Sequence, residues 1–263
     1  SKESAIVINN WFMMYFLAVV LIGTIYPIFL EAITTEKISV GPPYFNQLII
    51  PFLIPFLFIM ALGTKLDWIK NKINKLKLKK ITLLVLSLLI SFLIVRHLND
   101  KILYLTVLIS ASLYLFFISI IDLKNEKLKW SQKVSHLAFS IFIVSIILNS
   151  LFSEEVSVNL KTGEEKKLSS YLIKFEKLSK VEIDNYTALK AEIQVIQNNN
   201  NKLKFYPELR LYKVPETITS EADIKTNLLN DNLVVVNYLK DTDYLNIRYQ
   251  KKPFMLLIWL SAL

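Results

Sequence analysis

Two histidines and no cysteine bound the metal and nucleophile chemistry open to this chain of 263 residues. Neither a complete zinc site nor a Cys–His dyad can be assembled from them. A disulfide or a thiolate ligand is excluded as well. His136 is the more informative of the pair, standing in Lys133-Val-Ser-His136-Leu-Ala-Phe139, about one turn inside an apolar stretch. An ionisable side chain in such a stretch is costly, and it normally faces a protein interior where it binds something. A neutral imidazole is also a common axial ligand of haem iron. The plainer reading is an interfacial histidine among headgroups, and position alone leaves both open. His97, between Arg96 and Asn99-Asp100, reads as a solvated loop residue.

The remaining polar groups offer less. Glu154 and Glu155 are adjacent, so in a strand they face opposite sides and cannot act as a catalytic pair. Lys161-Thr-Gly163 is a turn, and a chain with four glycines holds no glycine-rich phosphate loop. Ile38-Ser-Val-Gly41-Pro42-Pro43-Tyr44-Phe45-Asn46 stiffens the entry into a helix or forms an ordered wall of an outward-facing site. Tyr171, Tyr206, Tyr212 and Tyr238 are expected to build a β-domain core or its rim.

The elements that position these residues follow from segregation of the apolar side chains. The chain is 53% hydrophobic, and most of that lies in the first 152 residues and the last eleven. Five spans are predicted, over about residues 6–30, 45–63, 81–95, 102–121 and 134–152. Pro51 and Pro55 in the second are tolerated, because membrane neighbours satisfy the freed carbonyls. The third is short, and Lys79, Lys80 and Arg96 extend it by snorkelling. From Pro253 onward a further apolar run stops after eleven residues, against the about 20 that a membrane helix needs. Both ends therefore read as cuts within a longer protein.

Loop charge predicts direction. Lys65 to Lys80 holds seven lysines against Asp67 alone, and Asp122 to Lys133 holds four lysines and two acids. By the positive-inside rule both are cytoplasmic, which puts residues 153–250 outside. The net charge of +9 sits at membrane flanks, so nucleic acid is not an expected partner. Within 153–250 the residues Val156, Val158 and Leu160, then Ile173 and Phe175, then Ile193 and Val195 alternate with a strand's period of two. Leu233–Val236 and Tyr244–Tyr249 are further strand candidates. Pro207 and Pro215 are expected to bound an irregular stretch, Glu221–Leu229 to form a short helix, and Asn198–Asn201 a flexible turn. The predicted architecture is a polytopic α-helical membrane protein, five spans plus a truncated sixth, with an inserted β-rich extracytoplasmic domain. The boundaries fall at 1–152, 153–250 and 251–263.

Several motifs, taken in order, carry a resemblance. Ile38-Ser-Val-Gly-Pro-Pro-Tyr-Phe-Asn46 followed by Pro51-x-x-x-Pro55 resembles the CcmF/NrfE family, the large membrane subunit of the bacterial cytochrome c haem lyase. Ser1-Lys-Glu3, Leu21-Ile-Gly-Thr24-x-Tyr26-Pro27, His136-Leu137, Pro207-Glu208-x-Arg210-x-Tyr212, Thr219 to Ile224 and Lys252-Pro253-Phe254 match in the family's order. The resemblance implies a multi-pass protein of the bacterial inner membrane, with residues 153–250 periplasmic, that helps attach haem to apocytochrome c. It implies His136 as an axial ligand of a membrane haem b, its second ligand upstream of this chain, with haem also a substrate. The implied partners are other cytochrome c maturation subunits, apocytochrome c and a haem-delivery protein. The family's tryptophan-rich outer motif and upstream histidines are absent here, and no residue of this chain is assigned as catalytic. Ala138 departs from a position where relatives often carry glycine. Two rival readings are a membrane scaffold that only docks partners and a transporter fragment. A transporter should place several polar groups at mid-bilayer, and this chain offers almost none beyond His136.

Overall fold

The computed structural model describes the chain except residues 35–37, 65, 67, 69–77, 97–101, 127, 169, 198–200 and 240–241. It resolves into two compact units, Ser1–Val144 and Ser145–Ser261.

The first unit is helical. It comprises α1 (Lys2–Ile33), α2 (Pro42–Gly63), α3 (Leu78–Arg96), α4 (Ile102–Asp122) and the first part of α5 (Trp130–Phe152). Four of these, α1, α2, α4 from Leu103, and α5, are long and apolar enough to cross a membrane. The chain is thus a multi-pass membrane protein with a β-rich domain. Ser1 caps α1, its hydroxyl accepting from the Ser4 N–H at 3.2 Å. Gly41 caps α2 and a proline fills its first position, where the missing N–H has no intrahelical partner to lose. The Gly-Pro-Pro motif is therefore a helix entry, three residues earlier than the hydrophobic run indicates.

Packing within this unit relies on small residues. Gly23 lies where a Cβ would come within 2.8 Å of the Tyr44 ring and 2.9 Å of Phe45, so α1 and α2 meet only because that side chain is missing. Ser87 of α3 and Ser110 of α4 share a buried hydrogen bond at 3.2 Å. Buried small polar groups of this kind let membrane helices approach closely. α4 is the most enclosed, with 56% of its apolar window buried against 11% for α1 and α5.

The second unit is a sandwich of two antiparallel sheets. One has the order β1 (Glu154–Leu160), β10 (Leu245–Pro253), β9 (Asn230–Tyr238), β8 (Asp223–Thr226). The other runs β2 (Glu165–Leu168), β3 (Tyr171–Ile183), β4 (Tyr186–Gln197), β6 (Glu208–Lys213), β7 (Glu216–Glu221), with β5 (Lys202–Phe205) also paired to β4. Alternate residues of both sheets point inward: Val158 and Leu160, Ile173 and Phe175, Ile193 and Val195, Val234 and Val236, Ile247 and Tyr249 form one core. Gly163 turns the chain between β1 and β2 at a φ of 89°, a conformation glycine adopts without strain.

Two sequence expectations are corrected here. The stretch between Pro207 and Pro215 is ordered as β6, and Pro207 is a buried acceptor whose carbonyl takes the Ala191 N–H at 3.0 Å. Proline can precede an edge-proximal strand because no ladder N–H is needed there. Glu221–Leu229 is not a helix. Its centre is β8, held by main-chain pairing of Asp223 to Val234 and Ile224 to Leu233. Asn198–Asn200, the loop about His97 and most of the lysine-rich loop 65–80 lie outside the described residues.

Candidate functional site

Each of three helices contributes one stripe to a cavity of about 640 Å³. On α1 the stripe is Lys2, Ala5, Asn9 and Met13, at helical spacings that share a face. On α2 it is Phe56, Ile59 and Gly63, with Thr64 just beyond the helix. On α5 it is Gln132, His136 and Phe139, again three or four residues apart. Gly63 stays slim where it faces α1: a Cβ there would touch that of Ala5 at 3.9 Å.

His136 is half-buried in this wall. Its main chain is fixed from behind, since the Ser119 hydroxyl of α4 donates to the carbonyls of Leu115 at 2.8 Å and His136 at 3.4 Å. Lys133, one turn earlier, donates to the Leu123 carbonyl at 3.0 Å and so ties the start of α5 to the end of α4. Aromatic rings close the deeper part. Phe139 meets Phe56 edge-on at 6.0 Å, and Phe56 in turn meets Phe12 at 5.8 Å and Phe16 at 5.6 Å. Among the described residues nothing hydrogen-bonds the imidazole ring, and no aspartate or glutamate lines the cavity.

The resemblance implies a haem iron at this position. No cluster of three or more His, Cys, Asp or Glu side chains capable of holding a bare ion occurs among the described residues. A single imidazole suits an iron that brings its own equatorial ligands. The cavity volume falls in the about 300–1,000 Å³ typical of cofactor pockets, and its lining is predominantly apolar with a few polar groups. The residues present fit a haem. Ala138, the position that departs from the resemblance, does not line the cavity.

His97 lies outside the described residues. The site also contains groups that sequence reasoning passed over. Lys2, Asn9 and Gln132 gave no signal beyond their helical spacing. Asp122, read as a loop acid, is buried at the end of α4 and accepts from the Thr64 hydroxyl at 3.0 Å.

Among the described residues of the β-sandwich no group of His, Cys, Asp and Glu could hold a metal ion. Residues 153–253 hold neither histidine nor cysteine. Glu154 accepts from the Tyr171 hydroxyl and lies 3.8 Å from Lys251, whereas Glu155 accepts from Gln250 and lies 3.8 Å from Arg248. The two carboxylates serve different pairs, as their adjacency in a strand requires. The Tyr171 and Tyr249 rings meet in the core at a tilt of 58°, their centroids 4.9 Å apart. Desolvation, and then the bond to Glu154, push the Tyr171 phenol well above its ordinary range; desolvation also raises Tyr249. Tyr206 and Tyr238 are exposed and belong to the rim, while the Tyr212 ring lies tilted against that of Tyr186, centroids 5.3 Å apart.

Comparison with known proteins gives a consistent picture. Residues 151–253 match the family described as the CcmF C-terminal beta-sandwich. Over 281 aligned residues the chain is 27% identical to the cytochrome c-type biogenesis protein CcmF of Pseudomonas fluorescens, covering all of this chain and 42% of that protein. The CcmF of Haemophilus influenzae is 26% identical with 43% of it covered, and that of Escherichia coli K12 24% with 42% covered. The chain thus spans less than half the length of the curated relatives it matches. A solved structure of the cytochrome c haem lyase CcmF superimposes with a TM-score of 0.73 at 17% identity, over all of this chain and 44% of that one, a likeness of fold.

Proposed function

We propose that the chain is a C-terminal part of a CcmF/NrfE family protein and that it serves cytochrome c maturation as a membrane subunit of a haem lyase complex. Its region 1–152 forms five spans, 251–263 begins a sixth, and 153–250 is a periplasmic β domain, in the bacterial inner membrane. His136 is an axial ligand of a resident haem b whose second ligand belongs to the rest of the protein. The observation that carries this reading is one imidazole, without a hydrogen-bond partner among the described residues, in the wall of an apolar cavity of cofactor size.

The roles of the chain's own residues follow. His136 binds the iron from α5, and Ser119 and Lys133 hold that helix segment in place behind it. Phe56 and Phe139 exclude water from the deeper side. A haem held here supplies one-electron redox chemistry, and its potential depends on axial ligand and burial. The loop charges place His136 toward the cytoplasmic end of its helix, while attachment to apocytochrome takes place outside. About 30 Å of hydrocarbon separates the two faces. The haem at His136 is therefore a fixed one, distinct from the haem being attached. The thiols that receive the latter belong to the apocytochrome, so this chain needs no cysteine for the attachment. The β domain, which holds neither histidine nor cysteine, docks other maturation subunits, apocytochrome c or a haem-delivery protein.

The test is optical. The purified full-length subunit should carry a b-type absorbance spectrum in stoichiometric amount, and its deletion should stop cytochrome c maturation. A colourless protein would favour the scaffold reading.

A further inference from the structure

We infer that the mouth of the cavity around Lys2 seats the carboxylates of the group that His136 holds, so that the site selects an anionic macrocycle over its neutral counterpart. The inference rests on the ligation by His136 proposed above.

Polarity is unevenly distributed along the cavity. Lys2 opens α1, Gln132 and Ser135 lie in the first two turns of α5, and Thr64 follows the last residue of α2. Met13, Phe56 and Phe139 lie one to three turns further in. The cavity thus has its charged group and most of its polar ones at the mouth, with Asn9 a polar exception two turns in and His136 one turn beyond Gln132.

The mouth also favours negative charge. α5 presents its N-terminus there, and a helix N-terminus carries partial positive charge, while α2 presents its C-terminus. Lys2 adds a full charge, and it has no ion pair among the described residues. Among the described residues the lining includes no carboxylate, and Asp122, next to the lining, is engaged by the Thr64 hydroxyl. A lysine at the mouth of an apolar cavity, with no carboxylate beside it in the lining, leaves its charge without a counter-charge until an anion joins it. A neutral ligand would leave that condition in place, whereas a ligand with an apolar body and carboxylates at one edge would relieve it. Such a ligand matches the cavity from both ends.

The experiment uses the full-length subunit, purified, freed of pigment and titrated with protohaem or with its dimethyl ester, whose carboxylates are blocked. Absorbance reports binding and needs no maturation activity. The wild-type protein should bind the free acid about tenfold more tightly than the ester, the scale of one hydrogen bond to a charged group. Lys2→Gln should erase that preference, while Lys2→Arg should keep it. Equal affinity of the wild type for both forms would overturn the inference, as would a preference that survives in Lys2→Gln. His136→Ala separates the two layers. If it alters the spectrum but the wild type does not discriminate, only the carboxylate seat is wrong. If it leaves the spectrum unaltered, the ligation itself fails and the inference falls with it.

Discussion

In the helical unit Leu17, Ile28 and Leu93 are 65%, 66% and 64% exposed, whereas Ile173, Val195 and Val236 of the β unit are fully buried. The same kinds of side chain point outward in one unit and inward in the other. The difference lies in the solvent that each unit is built for. Lipid is as apolar as leucine, so helices in a membrane gain little by hiding leucine from it and pack instead through small residues such as Gly23, Ser87 and Ser110. The sandwich faces water and gains its stability from the apolar area it encloses. Its core therefore shows the strict alternation that the helices lack.

The comparison can be broken by truncating one residue of each kind. Phe175→Ala should destabilise the β unit by about 3–5 kcal/mol, since it empties a fully enclosed site. Leu17→Ala should stay within about 0.5 kcal/mol in detergent or bilayer. Denaturant titrations of the two variants check this, and comparable losses would erase the distinction between the units.

A smaller effect tests the packing rule for the helices. Gly23→Leu must displace the Tyr44 and Phe45 rings, which an added Cβ alone would approach to 2.8 and 2.9 Å. Overpacking of this kind costs about 1–3 kcal/mol. The variant should unfold at lower detergent denaturant than wild type, while Leu21→Ala on the same helix should not.

The smallest effect is a pH dependence confined to the sandwich. Tyr171 and Tyr249 keep their phenols protonated in the folded state above the ordinary value of 10.0, by desolvation and, for Tyr171, by the bond to Glu154. The unfolded chain releases these protons earlier. The stability they contribute is fully present below pH 10 and declines as pH rises beyond it. Denaturant midpoints of the β unit should fall progressively above pH 10, and Tyr171→Phe should flatten part of that slope.

Much of this architecture is legible in the residues themselves. The helices α1, α2, α4 and α5 follow from unbroken apolar runs, and β1, β3, β4, β9 and β10 from alternation that maps onto the sandwich core. The strands that escape reading are β2 and β5 to β8. Ile218 and Ile224 stand exposed among Thr, Ser and charged residues, so no inward face is written in the sequence. Main-chain pairing to better-marked neighbours orders them instead, a tertiary effect that local pattern does not record. The site is half legible in the same sense. His136 declares itself as an ionisable group in an apolar helix. Its cavity does not, because the walls come from residues 2–13, 56–68 and 132–139, segments joined only by folding.

The account turns on that one imidazole. The most direct measurement is the absorbance spectrum of the purified full-length subunit carrying His136→Ala, set beside His97→Ala prepared in the same way. His136→Ala should lose the b-type spectrum, and His97→Ala should keep it at wild-type intensity. Normal haem content in His136→Ala together with its loss in His97→Ala would place the ligand on the wrong helix and contradict the account.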